Sequence, residues 1–203
     1  SKMLNAGKRL LTGESLFLTH FTSKKEGKTH VSFSGAYPGK ILPIDMKNIN
    51  GYLISEKDSF LCAAYGTEIG IEFAKKISTG FFGGEGFILQ KRVGDGIVFL
   101  NSGGYIHCKE LNNETIFVDT GCVVAFESSV NYDIQKAGNL KTMLFGGEGI
   151  FLARLSGKGK IWIQSMPFTR LANKVIKSST EIDGAAKGEG SIIGGLGSLF
   201  ESH

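Results

Sequence analysis

Phe82-Gly83-Gly84-Glu85-Gly86-Phe87-Ile88-Leu89 returns as Phe145-Gly146-Gly147-Glu148-Gly149-Ile150-Phe151-Leu152. A looser version opens the chain as Leu11-Thr12-Gly13-Glu14-Ser15-Leu16-Phe17-Leu18. The glutamates Glu14, Glu85 and Glu148 lie 71 and then 63 residues apart. Repetition at such a period means that the fold is assembled from copies of one unit. The repeats run over about residues 13–83, 84–146 and 147–178, the third incomplete. Each copy opens on a glycine turn followed by a short apolar strand, so the reading is an all-β, pseudo-threefold repeated sandwich or barrel.

Further signals extend the unit. Gly94-Asp95-Gly96 and Gly157-Lys158-Gly159, again 63 residues apart, predict β-hairpins. In the first copy the expected strands are 16–21 and 31–34, joined by a longer turn over 23–28. Asp58-Ser59-Phe60-Leu61-Cys62-Ala63-Ala64 resembles Thr120-Gly121-Cys122-Val123-Val124-Ala125-Phe126, and each leads into an alternating strand, 68–73 and 130–135. The third copy stops near Phe168 without this second half. Either a segment ahead of this sequence completes the lobe or a sheet edge stays open; open edges recruit other chains, so a homo-oligomer is expected.

Composition supports many short strands. Glycine appears 29 times in 203 residues and proline three times, which favours tight turns over long helices. A helix is predicted only over 169–178, with Leu171, Val175 and Ile176 on its inward face. Residues 179–203, rich in glycine and serine, read as a flexible tail after a single β domain spanning 1–178.

The net charge of +4 is mild. The doublets Lys24-Lys25, Lys75-Lys76 and Lys91-Arg92 read as solvated strand ends and turns, not as a nucleic-acid footprint. Cys62, Cys108 and Cys122 form no CxxC and read as buried free thiols in a reducing compartment. No apolar run approaches the ~20 residues that cross a bilayer. The expectation is a cytoplasmic protein, with a peripheral membrane position as a variant.

Little in the chain assembles into chemistry. A phosphate loop would follow a strand and open a helix; here a strand follows, and the glutamate would repel phosphate. Glu14, Glu85 and Glu148 therefore read as structural residues at repeat corners. No acidic cluster flanks them, so no metal is assigned, and no cofactor or catalytic residue either. His107-Cys108 on a strand would point to opposite faces. Trp162, Phe81-Phe82, Phe145 and Phe151 read as core. Tyr37-Pro38-Gly39-Lys40 interrupts the repeat with an individual loop, and these four residues form the candidate interaction surface.

Several strings resemble one family in order along about residues 10–178. They are Gly13-Glu14-Ser15-Leu16-Phe17-Leu18-Thr19, Tyr37-Pro38-Gly39-Lys40-Ile41, the two Phe-Gly-Gly-Glu-Gly phrases, Asp119-Thr120-Gly121-Cys122-Val123-Val124-Ala125-Phe126 and Trp162-Ile163-Gln164-Ser165-Met166-Pro167-Phe168. The family is the bacterial and archaeal one related to the mitochondrial protein named for altered inheritance of mitochondria. The resemblance implies a three-lobed fold like that of the tryptophan-RNA-binding attenuation protein, related to the double-stranded β-helix, with additional strands ahead of residue 10. It implies no enzymatic activity, and a scaffold or interaction role that extends to a membrane surface. The competing readings are a nucleic-acid-binding module by fold analogy, and a small-molecule or metal-dependent enzyme.

Overall fold

A computed structural model describes residues 18–75, 87–137 and 150–185. They fall into two units that meet after Pro167. The first is all-β. Its strands are β1 (Lys40–Asp45), β2 (Tyr52–Glu56), β3 (Phe60–Ala63), β4 (Glu68–Lys75), β5 (Phe87–Val93), β6 (Ile97–Ser102), β7 (Ile106–Asp119), β8 (Val123–Glu127), β9 (Val130–Ala137) and β10 (Ile150–Gln164).

Two antiparallel sheets hold them. One has the order β1-β6-β3; the other runs β4-β5-β2-β8-β10-β7, with β9 also paired to β10. The arrangement is a sandwich whose sheets remain separate, and among the described residues no closed barrel forms.

Burial explains the strand sequences. Val123-Val124-Ala125-Phe126 and Leu53-Ile54-Ser55 are buried throughout, because β8 and β2 lie inside the larger sheet with both faces covered. On one face Leu53, Val124, Ala125 and Trp162 pack with Ile44, Val98 and Leu100 of the smaller sheet. On the other face Ile54, Phe126, Leu155 and Ile161 form a second core with Phe87, Leu89 and Ile134. There the larger sheet curls upon itself. Tyr132 of β9 stacks on Phe87 (5.8 Å) and Phe126 (5.5 Å) and meets Phe73 of β4 edge-on at 5.5 Å. Burial pushes the Tyr132 phenol well above its ordinary pKa, and its hydroxyl has no hydrogen-bond partner among the described residues.

Both expected glycine hairpins turn out to be corners. β5 and β6 belong to different sheets, so residues 94–96 carry the chain from one sheet to the other, the usual way a strand leaves a sandwich face. At 157–159 no turn forms: β10 runs from Ile150 to Gln164, with a register shift at Gly157/Lys158. Gly157 (φ 108°) and Gly159 (φ 145°) occupy the left-handed region that makes this bend possible.

Residues 18–39 form no strand, unlike the hairpin expected there. Their backbone finds no sheet partner, and the loop is instead closed by Phe21 and Phe33, edge to face at 5.5 Å. The second unit contains one helix, α1 (Phe168–Ala185), longer than the expected 169–178. Leu171 is half-buried, whereas Val175 and Ile176 are exposed and not inward-facing. Residues 186–203 of the expected tail lie outside the described residues.

The bend in β10 makes a stability prediction. A Cβ on Gly159 would stand 2.6 Å from Ser129 Oγ and 3.0 Å from Glu127 Oε2, at a positive φ. Gly66 also has positive φ (89°) but open space around it. Gly66→Ala should cost about 1 kcal/mol from the backbone alone, and Gly159→Ala roughly 2–4 kcal/mol from strain plus displacement. Urea unfolding midpoints read the difference; equal costs would mean that the bend is not sterically fixed.

Candidate interaction surface

Tyr37, Pro38, Gly39 and Lys40 lead into β1, and Pro38, Gly39 and Lys40 are exposed. The loop is held close to β6. A Cβ at Gly39 would stand 1.8 Å from the Ser102 carbonyl oxygen, so only glycine lets the chain pass. Lys40 Nζ sits 4.9 Å from the Tyr105 ring centre, a cation–π contact. Tyr37 turns inward instead, its hydroxyl donating to the Asn101 carbonyl at 3.4 Å. Burial, with Glu56 and Asp58 nearby, pushes its phenol up to about 12. Three of the four residues thus offer a surface and the fourth anchors it.

Beneath lies a buried polar cluster that the sequence did not reveal. Arg92 is 0% exposed, although it belongs to a doublet expected to be solvated. Alternation along β5 puts the half-buried Lys91 on the face of Ile54 and Arg92 on the opposite face, with Leu53 and Ser55. Its guanidinium donates to Ser55 Oγ and, at 2.7 Å, to Gln90 Oε1, and lies 4.9 Å above the Phe60 ring. Glu56, partly buried beside it, caps the turn Lys57–Ser59 by accepting from the Asp58 backbone N–H at 2.9 Å. Burial raises its carboxyl, as does the Asp58 charge, against opposing help from that hydrogen bond, Lys57 and Arg92; the result is about 8. Such a group can hold a proton near neutral pH.

An apolar groove lies on the far side of the smaller sheet. Its floor is Leu61, Ala63, Ile97 and Phe99, and residues 18–21 with Val31 and Phe33 form one wall. Two adjoining hollows there measure about 400 and 560 Å³. Its aromatic rim is open: Phe21 is 64% exposed and Tyr65 90%. The sequence signal for this groove is the continuous apolar run of β3 and of β6, in which outward and inward positions look alike.

The remaining candidates stay apart. Glu14, Glu85 and Glu148, with Phe81, Phe82 and Phe145, lie outside the described residues. Trp162 and Phe151 pack in the cores as expected. Cys62 and Cys122 are half-buried, but Cys108 is exposed rather than buried: it shares a face with Trp162 but stands on β7, at the edge of the sheet. Burial raises the Cys62 and Cys108 thiols, the direction opposite to nucleophile activation. Among the described residues no three His, Cys, Asp or Glu side chains gather as a metal site, and no helix is long and apolar enough to cross a membrane.

The fold and its surfaces define a class: a two-sheet all-β domain that presents an apolar groove and a structured loop over a buried polar cluster. Residues 1–166 match the family model described as mitochondrial biogenesis AIM24, and the chain belongs to that family. It is 28% identical over 167 residues to an uncharacterised protein of Streptococcus pyogenes serotype M6, covering 82% of this chain and 65% of that protein's length. A crystal structure of a Streptococcus pyogenes protein superimposes with a TM-score of 0.63 at 21% identity, covering 88% of this chain and 77% of that one. At that identity the likeness concerns the fold.

The raised Glu56 carboxyl makes stability pH-dependent. A carboxyl whose folded pKa exceeds its unfolded value favours the folded state while protonated. That contribution is present below the ordinary carboxylate range, near 4.5, and is lost as pH rises toward about 8. Glu56→Gln keeps an oxygen for the Asp58 N–H and removes the charge. It should raise stability at pH 8 by on the order of 1–3 kcal/mol and flatten the dependence between the two pH values. Chemical unfolding across this range checks it; an unchanged slope would show that Glu56 is ionised throughout.

Proposed function

We propose that the protein is a non-enzymatic interaction protein that self-associates as a scaffold and works against a membrane surface. The observation that carries the reading is the open edge of β7. This strand is 14 residues long, and among the described residues it pairs only with β10. Its outer edge therefore offers backbone N–H and C=O groups to another chain. Phe117 on the same strand is 55% exposed, an apolar anchor of the kind that interfaces bury. Asn113, with φ 56°, places a bulge partway along, which limits pairing to one stretch of the edge and so favours a defined assembly over open-ended stacking.

The nucleic-acid and enzyme readings make different demands. The first requires binding that weakens steeply with salt; the second requires polar groups converging in a pocket, whereas the described groove is lined mainly by apolar side chains, with Thr19, His20 and Thr67 among its polar members. Native mass spectrometry of the protein tests the proposal. A closed oligomer is expected, and Phe117→Arg should shift its dissociation at least about tenfold toward monomer, the cost of stranding a charge at an apolar contact. A monomer at every accessible concentration would overturn self-association.

A further inference from the structure

The apolar groove has a charged neighbour. The two limbs of one loop, residues 18–21 and Val31 with Phe33, form its wall, and the Phe21–Phe33 contact at 5.5 Å brings them together. The tip beyond that contact is a tight turn: Ser23 Oγ accepts from the Lys25 N–H at 3.2 Å and donates to its carbonyl at 3.1 Å. Gly27 completes the reversal with φ 86°. Lys24, Lys25 and Lys28 all stand exposed on this tip, with Glu26 as its one acidic group. One short loop therefore carries three cations, a protruding ring and the wall of an apolar groove.

These features fit one chemistry. We propose that the groove and its loop form a docking site for anionic lipid at a bilayer surface. The lysines meet the head groups; Phe21 and Tyr65 enter the interface, where aromatic rings are favoured; and the groove floor at Ile97 and Phe99 takes acyl-chain surface. Charge complementarity selects this occupant. A purely apolar partner would gain nothing from three lysines, and a nucleic acid would leave the groove floor wet. The groove is also too open to enclose a free amphiphile, so the remaining apolar cover must come from the surface that bears the head group. This proposal rests on the membrane part of the functional reading and is independent of self-association through β7.

Vesicle flotation separates the possibilities. The full chain should float with phosphatidylcholine vesicles containing phosphatidylglycerol, and should stay in solution with phosphatidylcholine alone. Each basic side chain near an anionic surface strengthens binding about fivefold, so Lys24→Gln/Lys25→Gln/Lys28→Gln should weaken it about 100-fold. Raised salt should have the same effect. Phe21→Ser should weaken binding even at low salt. All four positions are exposed, and an unchanged melting temperature will verify folding. Val175→Ser/Ile176→Ser on α1 should leave binding within about twofold, since singly exposed apolar side chains contribute little. Four results would overturn the site: no flotation, equal flotation with neutral vesicles, loss through the α1 variant alone, or equally tight binding of monomeric oleate without vesicles. A monomer that floats would sink only the scaffold reading.

Discussion

Everything in the β unit depends on β10 serving three partners at once. Its first half is flanked by β9 and the end of β7, its second half by β8 and the start of β7. A straight strand cannot change neighbours in this way. The bend at 157–159 turns it, and only glycine reaches the backbone angles that the bend uses. The consequence is energetic as well as geometric. Ile161 and Trp162 are adjacent, hence on opposite faces, and each enters a different core. Each such burial stabilises by about 1.5–3 kcal/mol, so one strand secures both faces of the larger sheet.

The pairing pattern repeats along the chain. Glu56 faces Leu89, and 63 positions on Asp119 faces Leu152. Ile69 faces Arg92, and Tyr132 faces Leu155. Phe60 faces Leu100 and Cys62 faces Phe99 across a bulge; Val123 faces Ile163 and Ala125 faces Trp162 across its counterpart. Even the acidic caps recur, Glu56 on Asp58 N–H and Asp119 on Gly121 N–H. Within this frame the groove residue Phe99 corresponds to Trp162, which is 7% exposed. The same face is thus covered in one place and open in the other, which is why an apolar floor there calls for an occupant.

Strand content and the positions of most strands were legible because they rest on local alternation and glycine punctuation, and the membership of the family was legible in its ordered motifs. Sheet assignment was not. Gly94-Asp95-Gly96 has the chemistry of a hairpin, but whether the strands on either side pair with each other depends on β2, β1 and β3, far away in sequence. The doublet Lys91-Arg92 reads as a charged strand end for the same reason: which member turns inward is set by the register against β2 and β4. Tyr37 was legible as individual and its loop as exposed, whereas the groove was hidden because outward apolar residues in β3 and β6 carry the same signature as inward ones.

The buried polar cluster marks where the chain departs from this 63-residue recurrence of partners. At the positions 63 residues beyond Arg92, Gln90 and Ser55 stand Leu155, Ala153 and Val118, and Leu155 and Ala153 are fully buried. The same strand geometry is therefore satisfied by an apolar solution 63 positions further along the chain. Burying a guanidinium costs several kcal/mol that its hydrogen bonds only partly recover, and apolar replacements of similar size are commonly neutral or better. Packing alone does not require Arg92. What the arginine and its partners do is hold the start of β3 and the cap at Glu56 in a fixed place, through Phe60 beneath the guanidinium and Ser55 beside Ser59. Those elements adjoin both Tyr37 and the groove wall. The costly chemistry at Arg92 and the accessible surfaces at Tyr37 and the groove therefore occur together, whereas the positions 63 residues on from Arg92 and Gln90 are closed by apolar packing.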